Sequence, residues 1–218
     1  MKINEKKTTL MLFNKSLKFD FQPEFSFQNG GLLDVVDQSR LLGVQLHSSL
    51  RWNQNTNAIV KKSLSKMWLL RRMKGLKMDS HLISDYYLKE IRPLAEQSVA
   101  AWNSAITKAQ VSQLESIQKA ALKIILGPQY KTYDDACKTF NLLSLDQRRQ
   151  ELCVNFATKL YQSKRCEQFF NLPTKLGRTR NENLVIEPTA RTKRLYNAPH
   201  AYLARLVNAN KSRISSNP

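Results

Sequence analysis

The spacing of apolar residues changes at Trp52, and that change decides what the chain can fold into. Beyond it, apolar side chains recur every three or four positions, the period of a helix with one buried face. The sharpest case starts at Thr107. Thr107 and Gln110 have the spacing of a capping box, in which each side chain satisfies the other's exposed backbone N–H. Val111, Leu114, Ile117, Ala121 and Ile124 then mark one face, and Gly127-Pro128 ends the helix. Ser144 and Gln147 make a second box, opening a helix to about Gln162. A shorter helix spans Thr132 to Phe140. Upstream, Asn53 or Asn55 caps a helix to about Met73, with Val60, Leu64, Met67 and Trp68 near one apolar face. Leu82 to Ala101 reads as a further helix, kinked or broken at Pro93. Ala201 to Asn208 forms a last, short amphipathic helix.

The first 50 residues read as strands. Lys7 to Phe13 is rich in Thr and apolar residues, and Leu17, Phe19 and Phe21 alternate with polar ones. Asn29-Gly30-Gly31 is a turn signal. Leu32 to Val36 and Leu41 to Leu46 follow as short strands, with Gly43 inside the second. The fold expected is mainly α with a small N-terminal antiparallel β piece, an α+β chain. Three segments are expected: a sheet over 1–50, a helical domain over 51–163, and a basic, loosely ordered tail over 164–218 punctuated by Pro173, Gly177, Pro188 and Pro199.

Charge limits the partners. The chain has 35 Lys and Arg against 17 Asp and Glu, a net charge of +18. Such an excess points to a polyanion, nucleic acid first and an acidic membrane surface second. From Lys61 to Lys77 there are seven basic residues and no acidic one. Cys137, Cys153 and Cys166 are odd in number and widely spaced, so reduced, packed thiols are expected rather than a disulfide framework. No apolar run reaches membrane-helix length, and the N-terminus lacks a signal-peptide stretch. An intracellular protein, in nucleus or cytoplasm, is expected.

Enzyme chemistry is hard to place. Nucleotidyl transfer needs carboxylates converging on magnesium. Tyr133-Asp134-Asp135 resembles a polymerase aspartate motif, but Thr132 and Asp135 have helix-cap spacing and no apolar strands flank them. His47, His81 and His200 lie far from each other and from the cysteines, so no zinc site is expected. No Gly-rich phosphate loop occurs. No cofactor is expected.

Six strings, in order, resemble the reverse transcriptases of non-LTR (LINE, jockey-like) retrotransposons. They are MKINEKKTTLMLF at 1–13, LLGVQLHSSLRWNQN at 41–55 and IVKKSLSKMWLLRRMKGL at 59–76. YYLKEIRPLAEQSVAAWNSAITKAQVSQLESIQKAALKIILG at 86–127, TYDDACKTFNLLSLDQRRQELCVNFATKL at 132–160 and RTKRLYNAPHAYLARLVN at 191–208 follow. Where the family often has Val-Leu-Glu-Tyr after Arg-Pro, this chain has Leu94-Ala95-Glu96-Gln97. The resemblance implies the end of a palm, a thumb-like helical bundle and a tail, with the catalytic palm lying before Met1, as in the product of a truncated element.

The resemblance also implies roles. Leu42, Gly43 and Val44 match the primer-grip hairpin. Lys61, Lys62, Lys66, Arg71, Arg72 and Lys74 match thumb positions that would face an RNA or RNA/DNA template–primer, bound without sequence preference. Trp52, Trp68 and Trp102 are candidate stacking residues, although Trp68 and Trp102 sit on apolar helix faces and are expected in the core. The alternatives are a protein-interaction module, an enzyme completed by a separate palm, and a helical segment like the N-terminal part of AlkB-like hydroxylase–methyltransferases. For the last, no His-x-Asp iron-ligand pair is present.

Overall fold

A computed structural model of the chain describes residues 8–13, 25–26, 31–163, 166–173 and 183–215. The alternation at Leu17, Phe19 and Phe21 and the turn at Asn29-Gly30 lie outside them. The chain is mainly helical, with a small N-terminal β piece. It divides into two compact units, Met1–Ala58 and Ile59–Pro218.

In the first unit, β1 (Thr9–Leu10) pairs in parallel with β2 (Asp34–Val35). β3 (Gln38–Leu41) and β4 (Val44–His47) form an antiparallel hairpin, with Gln38 opposite His47 and Leu41 opposite Val44. The strand expected over Leu41 to Leu46 is therefore two half-strands folded at Leu42-Gly43. Both turn residues have positive φ, 48° and 89°. A two-residue hairpin loop needs that backbone, because its twist then matches the strands it joins. Gly43 adopts it freely, while Leu42 does so at some cost. Apolar alternation hid the turn because leucine is a rare turn residue. The far end of the hairpin is closed by Ser48, whose hydroxyl donates to Asp37 Oδ1 at 2.8 Å. The N–H of Gln45 donates to Asn55 Oδ1 at 3.1 Å, tying β4 to the first turn of the following helix.

That helix, α1 (Asn53–Gly75), runs close to its expected length. Its buried line in the second unit is Ser63, Met67 and Leu70. The expected inner positions Leu64 and Trp68 are instead 45% and 60% exposed. One residue along a helix turns about 100°, so the line through Met67 and the line through Trp68 face apart. Both lines are apolar in sequence, and only packing chooses between them.

The stretch expected as one helix from Leu82 is built of pieces. α2 (Ser80–Tyr86) widens into a π-turn at Tyr87–Ile91, continues as α3 (Arg92–Glu96), reverses at Ser98 (φ 52°), and resumes as α4 (Val99–Trp102). Pro93 does not end the helix. The wide turn precedes it, where a proline ring would clash with the carbonyl four residues back. The break comes at Gln97-Ser98.

α5 (Lys108–Leu126), α6 (Tyr133–Thr139) and α7 (Leu145–Gln162) follow the sequence reading. Both capping boxes are complete: Thr107 N–H donates to Gln110 Oε1 at 2.7 Å, and Ser144 N–H donates to Gln147 Oε1 at 3.2 Å. Gly127, at φ 58°, ends α5. Leu114, Ile117, Ala121, Leu122 and Ile125 are fully buried.

The described part of 164–218 is not a loose tail. After α8 (Cys166–Phe169) and α9 (Lys193–Tyr196), α10 (Pro199–Ala209) packs on α7 and α4, and α11 (Lys211–Ser215) follows. Phe170, Val185, Leu203, Ala204, Val207 and Ile214 join Ala157 in one apolar cluster. Asn208 holds Val185 by both backbone groups, accepting from its N–H at 3.1 Å and donating to its carbonyl at 3.0 Å. Leu203, Ala204 and Val207 belong to the helix read over Ala201 to Asn208, whereas Phe170, Val185 and Ile214 lie in short windows that show no helical period. Among the described residues, no helix is long and apolar enough to cross a membrane.

Candidate nucleic-acid interface

The 23 residues of α1 carry six cations and no acid. Lys61, Leu64, Trp68 and Arg72 are three, four and four residues apart, so they stack along one line. Lys62 and Arg71 flank it, and all six side chains are exposed. Met67 and Leu70, on the opposite side, seat this part of the helix in the second unit.

The structure separates the six predicted cations. Lys66 leans on Glu90, donating to Oε2 at 2.6 Å and to the backbone carbonyl at 3.1 Å. Lys74 lies on the inner line and donates to the carbonyl of Ile125 at 2.6 Å, capping the end of α5. Those two hold the fold together. Lys61, Lys62, Arg71 and Arg72 make no ion pair among the described residues. Leu42 and Gly43 form the β3–β4 turn, where Leu42 is 86% exposed, and Val44 is buried beside it.

The three tryptophans differ. Trp52 is buried, and Trp102 is fully buried with Nε1 donating to Gln97 O at 3.0 Å. Trp68 stands on the outer face of α1, against the expectation that it is core. Its distance of seven residues from Lys61 and four from Arg72 was the available signal.

Asp134 and Asp135 occupy the first turn of α6, where Thr132 Oγ1 accepts from the Asp135 N–H at 3.2 Å. No group of three His, Cys, Asp or Glu able to hold a metal occurs among the described residues. An apolar groove of about 720 Å³ opens between α4, α7, α8 and α10, lined by Val99, Leu152, Phe156, Leu160, Phe169 and Leu203.

The thiols are built for packing. Cys137 and Cys153 are both buried and free, and burial pushes Cys153 from its ordinary 9.0 up to about 11. Cys137 shifts the same way, chiefly by burial. Tyr87 and Tyr133 are also raised by burial, Tyr133 with help from the Glu115 carboxylate that its hydroxyl bonds. Each of these groups holds its proton more tightly folded than unfolded. The cysteine contribution is therefore complete below about pH 9 and, for Cys153, is lost as pH rises through about 11, while the tyrosines begin to lose theirs only above about pH 10. For Cys153 alone it is of order 2 kcal/mol. Urea midpoints should be level from pH 7 to 9 and fall clearly by pH 11. At pH 8, iodoacetamide should label Cys137 and Cys153 only after unfolding.

Set beside known protein families, curated proteins and solved structures, the chain matches none of them.

Proposed function

We propose that the chain binds nucleic acid without sequence preference through the outer face of α1. On this reading it is the C-terminal region of a reverse transcriptase of the non-LTR retrotransposon kind, without polymerase activity of its own. The observation that carries the proposal is the set of four exposed cations, Lys61, Lys62, Arg71 and Arg72, that make no ion pair among the described residues and stand on a helix without a single acid. Cations so arranged displace the counterions condensed on a phosphate chain, which drives binding at low salt. Two further features support the family reading. A hairpin turns at Leu42-Gly43, where the resemblance sets a primer grip. Leu32, Val35, Leu41 and Leu42 lie exposed on the β piece, as in a sheet lacking the domain that would cover it.

The test is binding of a labelled RNA/DNA primer–template at several salt concentrations. Four phosphate contacts give a log–log slope of about −3 to −4, or roughly a 100-fold loss of affinity between 50 and 200 mM salt. Replacing Lys61, Lys62, Arg71 and Arg72 together by alanine should flatten that slope and leave the melting temperature nearly unchanged, since all four are exposed. An unchanged slope in that variant refutes the interface. Template-directed nucleotide incorporation by the purified chain with magnesium refutes the absence of catalysis.

A further inference from the structure

We infer that Trp68 is a stacking platform for an unpaired base, so that α1 takes single-stranded RNA or DNA in preference to a duplex. The inference rests on the reading of α1 as a nucleic-acid surface and narrows its substrate.

An indole is among the largest apolar groups a chain can bury, and this one is left 60% exposed on a helix whose other side is packed. Among the described residues it makes no ring contact and no cation–π contact. Three tyrosine rings each carry a cation from within the fold: Lys119 sits over Tyr133, Lys123 over Tyr130, and Arg205 over Tyr196 at 3.6 Å. Trp68 has nothing comparable.

Its neighbours identify the occupant. Arg71 and Arg72 lie one turn beyond the ring, about 5–6 Å along the axis, and Lys61 and Lys62 lie two turns before it, about 9–10 Å away. Cations thus bracket the ring on both sides along the helix, and no acid stands on α1 to repel a phosphate. A ligand satisfying both parts has a flat face between two anionic groups. A nucleotide within a strand has that form. In a duplex the base faces are hidden by stacking, and only the phosphates reach the protein. An exposed indole therefore adds affinity only when a base is unpaired, in a single strand or at the open end of a template–primer. Stacking uses the ring face common to all bases, so no base preference accompanies it.

The experiment uses the full chain and four probes at 50 mM salt: a 12-nucleotide oligo(dT), an oligo(rU) of the same length, an abasic strand with the same phosphates, and a 12-base-pair duplex. Trp52 and Trp102 are buried, so quenching of tryptophan emission reports on Trp68. Both single strands should quench it, and the abasic strand and duplex should not. Trp68→Ala should weaken oligo(dT) binding roughly tenfold and leave the salt slope and duplex affinity unchanged. Trp68→Phe, which keeps a ring, should recover part of the loss, while Trp68→Leu should recover none. If all four probes bind alike and the emission stays constant, stacking is refuted while the electrostatic surface stands. If none of the four binds, both readings fail.

Discussion

Replacing Gln118 by leucine is expected to remove about 3–5 kcal/mol of folding stability, a large part of the roughly 5–15 kcal/mol available to a small protein. Gln118 is buried on α5 at the centre of a polar network. Its Nε2 donates to the carbonyl of Leu143 at 2.8 Å and to the Tyr133 hydroxyl at 2.9 Å. Its Oε1 accepts from the hydroxyl of Tyr87, itself fully buried, at 2.9 Å. The network continues through Glu115, whose carboxylate accepts from the Leu145 and Asp146 N–H groups at the start of α7. Leucine fills nearly the same volume, so the loss comes from stranded polar groups rather than from a cavity. The buried Tyr87 hydroxyl is left without a partner, at about 1–3 kcal/mol, and the Tyr133 hydroxyl and the part-buried Leu143 carbonyl each lose a donor. Adding Tyr87→Phe removes one stranded group and should restore part of the stability, so the two changes are non-additive. Urea unfolding of both single variants and the double variant measures this. A Gln118→Leu loss below 1 kcal/mol would mean that the network does not hold α5, α6 and α7 together.

Arg149→Ala is expected to cost about 3–5 kcal/mol, and Arg149→Met much less. Arg149 is fully buried on α7. Its Nε donates to Asn103 Oδ1 and its Nη2 to Asp146 Oδ1, both at 3.0 Å. Burial pulls its pKa down, and the Asp146 carboxylate offsets part of that. Among the described residues Nη1 has no hydrogen-bond partner. The guanidinium is thus a compromise: it fills the space between α7 and the Asn103 turn but leaves one donor stranded. Alanine opens a cavity and strands Asn103. Methionine keeps most of the volume and removes a charge that is costly to bury. Equal losses in the two variants would show that the hydrogen bonds, not the packing, stabilise this site.

Surface and interior follow different rules here. Thr107 with Gln110, Ser144 with Gln147, and Thr132 with Asp135 were legible as helix starts, and Gly127-Pro128 as a stop. Each signal works within four residues, through a side chain bonding nearby backbone, and needs no other part of the chain. The α1 cations were legible too, because charge and spacing are properties of the string itself. Their employment was not. Lys66 and Lys74 look like Lys61 and Lys62 until Glu90 and the end of α5 are brought beside them.

The amino-acid order by itself determined where α1, α5, α6 and α7 begin, and that one helix carries only positive charge. Tertiary packing alone decided which of two apolar lines on α1 turned inward, leaving Trp68 outside, and drew scattered residues such as Phe170 and Val185 into a core. The division has one cause. Caps and charges act over a few residues of the same chain, whereas burial depends on what lies opposite, and the facing side chain is supplied from far along the sequence.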